Sequence, residues 1–282
     1  VRPSWLKAPV TGGVLAGKTR RVLERLGLNT VCNEACCPNR GHCYQRNTAA
    51  FLIMGTVCTR NCRYCAVDHG TPLPPDPDEP GRLAEAASAM GLRFVVVTSV
   101  TRDDLPDGGA DCFARVVGAL RERVPGIVVE VLTPDFMGST RSLETVAAAS
   151  PGIFNHNLET VERLFPALRP GGDYRRSLKV LGDFASMKTG IPLKSGLMLG
   201  LGETDSDLRR ALADLRDNGV TMLTLGQYLQ PSKDHARVHR FVTPDEFGQW
   251  RTEALGMGFL SVASGPLVRS SYHADDYASE LD

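Results

Sequence analysis

From residue 49 onward the chain alternates between short apolar runs and longer stretches whose apolar positions recur every three or four residues. The runs cover 50–55, 94–97, 127–132, 153–155, 193–199 and 221–225. They lack the apolar–polar alternation of a half-exposed strand, so they read as strands buried on both faces of a parallel sheet. The periodic stretches predict helices over 82–90, 110–124, 143–149, 174–187, 205–218 and 244–257, with a shorter one over 161–167. Local punctuation agrees. Thr243-Pro244-Asp245-Glu246 forms a capping box with Pro at the first helical position, and Gly91, Gly219 and Gly258 close three of the helices.

Six strand–helix repeats spread over 50–264 give about 36 residues each, the size of a βα unit with a right-handed crossover. A closed barrel needs about eight. The expected fold is therefore α/β, a partial (βα)6 TIM-like barrel, open on a side wide enough for a substrate carried on a protein. A doubly wound sheet is the competing architecture. Ahead of this barrel (49–264) lies an irregular N-terminal extension (1–48), with one helix over 18–26 and Gly27 as its C-terminal cap. A short C-terminal segment (265–282) follows the barrel.

Barrel active sites sit at the C-terminal ends of the strands, and polar or glycine-rich segments fall there six times. They begin at Cys58, at Thr98 to Asp104, at Thr133-Pro134-Asp135, at Asn155 to Glu159, at Gly200 to Glu203 and at Gln227-Tyr228.

Composition narrows the function. Lys+Arg and Asp+Glu both count 32 and aromatics are 6%, so neither a nucleic-acid partner nor an anionic membrane is expected. No apolar stretch approaches the roughly 20 residues of a membrane span. Val1 to Trp5 carries no apolar h-region, so no secretion signal is expected. Seven of the eight cysteines crowd between Val31 and Cys65. That is unlike a disulfide framework and predicts a reducing, cytoplasmic location.

Those cysteines form two groups. Cys32, Cys37 and Cys43 are spaced C-x4-C-x5-C, and Cys58, Cys62 and Cys65 are spaced C-x3-C-x2-C directly after the first barrel strand. Each offers three thiolates, one short of a closed zinc site or an ordinary iron–sulfur cluster. An open iron is the reading that implies chemistry. A zinc loop is the bland one, weakened because His69 is the only other ligand near the second group. Cys36 could replace Cys37 as a ligand, and Cys112 reads as a core residue of the second helix.

C-x3-C-x2-C after the first strand of a βα barrel resembles the radical S-adenosylmethionine (SAM) enzymes. The resemblance implies a 4Fe–4S cluster on Cys58, Cys62 and Cys65, whose open iron chelates SAM and whose electron makes a 5′-deoxyadenosyl radical. It also implies cofactor contacts from Tyr64 (near the adenine), from the pair Gly108-Gly109 (facing the methionine amine) and from Gly200 and Glu203 in the stretch Gly196 to Glu203. Asn155, Asn157 and Glu159 suit a ribose or the methionine end by residue type, against a plain loop-bonding role.

The leader triplet narrows the resemblance further. Together with Thr101 to Ala110, Tyr174-Arg175-Arg176-Ser177 and Arg269-Ser270-Ser271-Tyr272, it resembles the lipoyl synthase family over essentially the whole chain. That family implies a second 4Fe–4S cluster on Cys32, Cys37, Cys43 and Ser271. It acts as sulfur donor to carbons 6 and 8 of an octanoyl-lysine on lipoyl domains of 2-oxoacid dehydrogenases or on the glycine cleavage H protein. A low-potential donor such as ferredoxin or flavodoxin is implied as well. A rival within enzymes is another radical sulfur-inserting or methylthio-transferring protein; outside them, a non-catalytic iron–sulfur electron carrier or a zinc-stabilised binding protein.

Other signals are read blandly. His235 and His239, four apart, are taken as a solvated loop. Asp103, Asp104 and Asp107 are expected to cap the second helix and hold its loop. Arg169, Arg175 and Arg176 form a local basic cluster, either a solvated face or a contact for an acidic carrier or a carboxylate.

Overall fold

The computed structural model describes residues 3–6, 14–35, 37–45 and 50–271. Its main sheet has eight strands: β1 (Asn29–Thr30), β2 (Ala50–Ile53), β5 (Phe94–Ser99), β6 (Val128–Leu132), β7 (Ile153–Asn155), β8 (Leu193–Leu199), β9 (Met222–Gln227) and β10 (Ser261–Gly265), side by side in that order. A two-residue ladder, β3 (Val57–Cys58) with β4 (Asp68–His69), stands apart from it. The helices are α1 (Val14–Arg25), α2 (Val31–Glu34), α3 (Arg40–Gln45), α4 (Glu79–Met90), α5 (Ala110–Arg123), α6 (Thr140–Ala148), α7 (Phe165–Leu168), α8 (Tyr174–Ser186), α9 (Asp205–Asp217) and α10 (Pro244–Gly256).

All six predicted strands are present and pair in parallel. A further parallel strand, β10, follows α10 and pairs with β9. Its sequence, Ser-Val-Ala-Ser-Gly, holds too few large apolar residues to read as a buried run. At the other edge β1 joins β2 antiparallel. Among the described residues β1 and β10 do not pair, so the parallel sheet curls without closing.

The N-terminal extension departs from the irregular leader expected of it. It carries β1, α2 and α3, and Cys43 sits on α3, not in a loop. Helices of four and six residues are too short to show a period. They are held by tertiary contacts, the Thr30 hydroxyl meeting Tyr44 Oη at 2.9 Å and Thr19 Oγ1 donating to the Tyr44 carbonyl at 3.2 Å. The stretch predicted as a helix over 161–167 is a 3-10 turn (Glu162–Leu164) followed by α7, because Pro166 restricts the chain there. The predicted capping box at Thr243 is present, and Thr204 with Asp207 makes a second one on α9.

Apolar side chains of the strands fill the interface with the outer helices. Phe154 of β7 stacks on Phe184 of α8 with ring centroids 3.9 Å apart, and Phe51, Val97, Val131 and Leu225 are fully buried. Each such side chain contributes about 1.5–3 kcal/mol. Two opposite charges are buried within the sheet as well. Lys194 of β8 donates to both oxygens of Glu130 on β6, at 2.8 and 3.0 Å, and Asn155 Nδ2 donates to the same carboxylate at 2.7 Å.

Candidate functional site

Cys58 ends β3, and the chain from Cys58 to His69 forms one loop over the mouth of the barrel, closed at its base by the β3–β4 ladder. Four bonds from three segments sew this loop down. Thr59 N donates to the Thr101 carbonyl (3.0 Å), Arg63 N to the Leu168 carbonyl (2.8 Å) and Ala236 N to the Arg63 carbonyl (2.8 Å). His235 Nε2 lies 2.9 Å from the Cys65 carbonyl. A carbonyl only accepts, so Nε2 carries the proton and Nδ1 accepts from Ser232 Oγ at 2.8 Å. His235 is thus a clamp on the cysteine loop, not the solvated residue expected from the sequence; His239 does lie exposed.

Arg60, between the first two cysteines of the loop, is its largest anchor. Its buried guanidinium donates to both oxygens of Asp103 (2.6 and 2.8 Å) and both of Asp135 (3.0 and 2.7 Å). Burial alone would raise the Asp135 carboxyl, but the Arg60 hydrogen bonds and charge outweigh it and hold it well below the usual carboxylate range. Nothing in the spacing of the motif announced Arg60. The aspartates expected to cap α5 divide their work: Asp107 accepts from Gly109 N and Asp111 N, Asp103 holds Arg60, and Asp104 holds Arg102 at 2.7 Å.

The donor chemistry fits a cluster. Cys58 Sγ accepts from two backbone amides, Arg60 N at 3.4 Å and Thr101 N at 3.3 Å. Burial pushes the Cys65 thiol up to about 12 and also raises Cys62, with Arg169 acting in the opposite sense on Cys62. Thiols that hold their protons so firmly are poor nucleophiles, and a metal is what would displace those protons. Among the described residues no three His, Cys, Asp or Glu side chains converge where one metal ion could sit.

Around this loop lie the other residues expected to meet a cofactor. Tyr64 packs with Leu168, Leu201 and Tyr228 in a small apolar cluster of its own. Glu159 has a left-handed backbone (φ 72°), the kind of strain that collects at functional sites, and burial raises its carboxyl against the pull of Arg169. Arg169 is buried, donates from Nη1 to the Asn157 carbonyl at 3.1 Å and lies over the Phe165 ring. It has left the basic cluster read from the sequence, for Arg175 pairs with Glu162 outside and Arg176 with Asp135. His156, fully buried, donates from Nδ1 to the Thr133 carbonyl at 2.9 Å, and burial, then the charge of Arg169, lowers its pKa to about 4.

The remaining residues in this group are engaged with the protein. Glu203 uses both carboxylate oxygens on the backbone amides of Gly200 (2.6 Å) and Leu201 (2.9 Å). Gly200 (φ 93°) lies against the Arg240 carbonyl and the Gln227 amide, with no room for a Cβ. Gly108 packs its bare face on Phe136, and Gly109 packs on the Met54 thioether. Asn155 is tied to Glu130, leaving its buried Oδ1 without a partner, and the Asn157 amide meets Ser270.

The leader meets the C-terminal segment at Asn39 and Cys37. Asn39, buried between Cys37 and Cys43, donates from Nδ2 to the Leu267 carbonyl at 2.6 Å. Burial lowers the pKa of Arg269, opposed by the nearby Cys37. Burial lifts Cys32 to about 11, with Cys37 adding to the rise. Cys36 and Tyr272 lie outside the described residues. Cys112 is half-buried on α5 against the main core, and none of the seven described cysteines is in a disulfide.

Comparison with known proteins gives the family. The radical SAM superfamily pattern matches residues 52–215, from β2 into α9. Lipoyl synthase of Thiobacillus denitrificans is 54% identical over 98% of this chain and 89% of its own length. That of Methylococcus capsulatus is 53% identical over 99% and 87%. Among solved structures, methylornithine synthase superposes with a TM-score of 0.53 at 16% identity, covering 92% of this chain and 85% of that one. Streptococcus suis SuiB gives 0.58 at 12% identity, over 80% of this chain and 52% of that larger one. The distant structures share the fold alone, and the close relatives share more than half their residues along nearly the full length. The chain therefore belongs to the lipoyl synthase family of the radical SAM superfamily.

Proposed function

We infer that the chain works as its family does, inserting two sulfur atoms, at carbons 6 and 8, into a protein-bound octanoyl chain to give lipoyl-lysine. When bound, SAM and a 4Fe–4S cluster on Cys58, Cys62 and Cys65 supply hydrogen abstraction from an unactivated carbon, and a second cluster on Cys32, Cys37, Cys43 and Ser271 supplies the sulfur. The extension (1–48) carries the second cluster, the barrel (49–264) the first, and the C-terminal segment (265–282) the serine. The chain's own part is to bind, aim and exclude water. Arg60 and His235 hold the first cysteine loop in one shape, and Tyr64 with Leu201 and Tyr228 forms an apolar wall beside it.

One observation carries the two-cluster reading: Asn39 of the leader bonds Leu267, four residues before Ser271, across 228 positions of sequence. A serine oxygen is a hard, weakly held ligand for iron compared with a thiolate. A ligand that has to let go when sulfur is handed over is suited by that weakness. The substrates are octanoylated lipoyl domains of 2-oxoacid dehydrogenases and the glycine cleavage H protein. Electrons come from ferredoxin or flavodoxin, and the reaction runs in the cytoplasm. No helix among the described residues is long and apolar enough to cross a membrane.

The test is Ser271→Ala in anaerobic turnover with an octanoyl-lysine peptide, followed by mass spectrometry. The variant is expected to go on cleaving SAM to 5′-deoxyadenosine while dithiolane formation is lost. Lipoyl product at the wild-type level would sink the assignment of Ser271.

A further inference from the structure

The segment from Pro266 to Ser271 runs across the mouth of the barrel like a strap. Two glycines make room for it. A Cβ on Gly226 of β9 would sit on the Val268 carbonyl, and one on Gly196 of β8 would strike the side-chain oxygens of Thr224, Asn157 and Ser270. Larger residues at either place would lift the strap off the strands.

Ser270 is gripped at both of its polar groups. Its carbonyl accepts from Lys194 Nζ at 2.7 Å, and that ammonium is itself fixed by Glu130. Its hydroxyl accepts from Asn157 Nδ2 at 2.7 Å and donates to Asn157 Oδ1 at 3.0 Å. Asn157 is steadied in turn by Arg169, which holds its carbonyl and lies near Cys62. Ser271, the next residue, makes no hydrogen bond among the described residues, so the two adjacent serines have different surroundings.

We propose that Ser270 is a positioning residue: clamped by Asn157 and Lys194, it presents the Ser271 oxygen to the iron held by the leader cysteines. The inference rests on Ser271 being that iron's ligand. A weak oxygen ligand on an unanchored segment competes poorly with water and buffer, because binding must also order the chain. Anchoring the preceding residue at two points removes most of that cost in advance, as partners behind metal ligands commonly do. The anchor also sets the serine's position from the strand ends beside the first cysteine group, tying the placement of one centre to the other.

The test uses the full chain, reconstituted anaerobically with iron and sulfide, and reads Mössbauer spectra and thermal unfolding of Ser270→Ala, Ser270→Thr and Ser271→Ala. Ser270→Ala is expected to lose the oxygen-ligated iron signature from most of its second clusters, as Ser271→Ala does, while the first cluster keeps its spectrum. Ser270→Thr keeps the hydroxyl and is expected to retain the signature in most molecules. A Ser270→Ala spectrum identical to wild type, beside an altered Ser271→Ala, would overturn the positioning role and leave the ligand assignment standing. An unaltered Ser271→Ala would overturn the ligand assignment itself, and the positioning role with it. Should Ser270→Ala fail to fold, Asn157→Ala breaks the same contact from the other side and is read by the same criteria.

Discussion

The two cysteine groups are built by opposite means. Cys58, Cys62 and Cys65 lie on one short loop, stitched to neighbouring strand ends by Arg60, Thr59, Arg63 and His235. Cys32, Cys37 and Cys43 lie on or between two short helices, and the partner implied for them arrives from the far end of the chain, joined to the leader through Asn39. A local, heavily bonded loop suits a centre that returns unchanged after every cycle. A site assembled from distant pieces, its leader half joined to the strap through Asn39, can open at that joint while the strap stays clamped to the strands, which suits a centre that is taken apart. The difference in construction thus matches a difference between catalyst and reactant.

Three perturbations sharpen or break this contrast. The largest effect is expected for Arg60→Met, which leaves Asp103 and part of Asp135 facing a buried apolar side chain. Breaking one side of such a pair costs about 3–5 kcal/mol, and urea unfolding should show it, with the first cysteine group losing iron and the leader group keeping it. Equal loss at both groups would mean that the two sites are not separately built.

Next comes His156, on the floor beneath the first loop. Its folded pKa is about 4 against about 6.5 when unfolded, so the unfolded chain takes up a proton first as pH falls. Its contribution is therefore whole above about pH 6.5 and is lost as pH drops toward 4, a span on the order of 3 kcal/mol. Stability measured across that window should flatten in His156→Gln; an unchanged slope would assign the acid sensitivity to other groups.

The smallest effect is expected for Asn39→Ala, about 1 kcal/mol for a neutral hydrogen bond. Amide exchange over 267–271 should quicken while that over 58–65 stays as it was. Exchange that quickens in both stretches would mean that the Asn39 bond also supports the first cysteine loop.

Much of this was legible beforehand. The six strands announced themselves because parallel strands are apolar on both faces, and the family did so through its cysteine spacings, because ligand geometry restricts them. The seventh parallel strand was silent, since Ser261 to Gly265 is made of small residues whose place is set by pairing with β9. The clamps were silent for another reason. Arg60, His235 and Asn39 act on groups 43 to 228 positions away, and their residue types are as common on surfaces as in sites. The glycines and Glu203 of the cofactor stretch show how a motif can be met by residues that mostly serve the loop's own backbone.

The bond from Asn39 to Leu267 has a consequence for the order in which the protein matures. During synthesis the leader and the first cysteine loop leave the ribosome early, but the strap emerges only after all the barrel strands. On the proposed assignment of Ser271, the leader site stays incomplete until the strap has emerged behind the barrel strands, and a chain cut short before residue 266 would lack that serine.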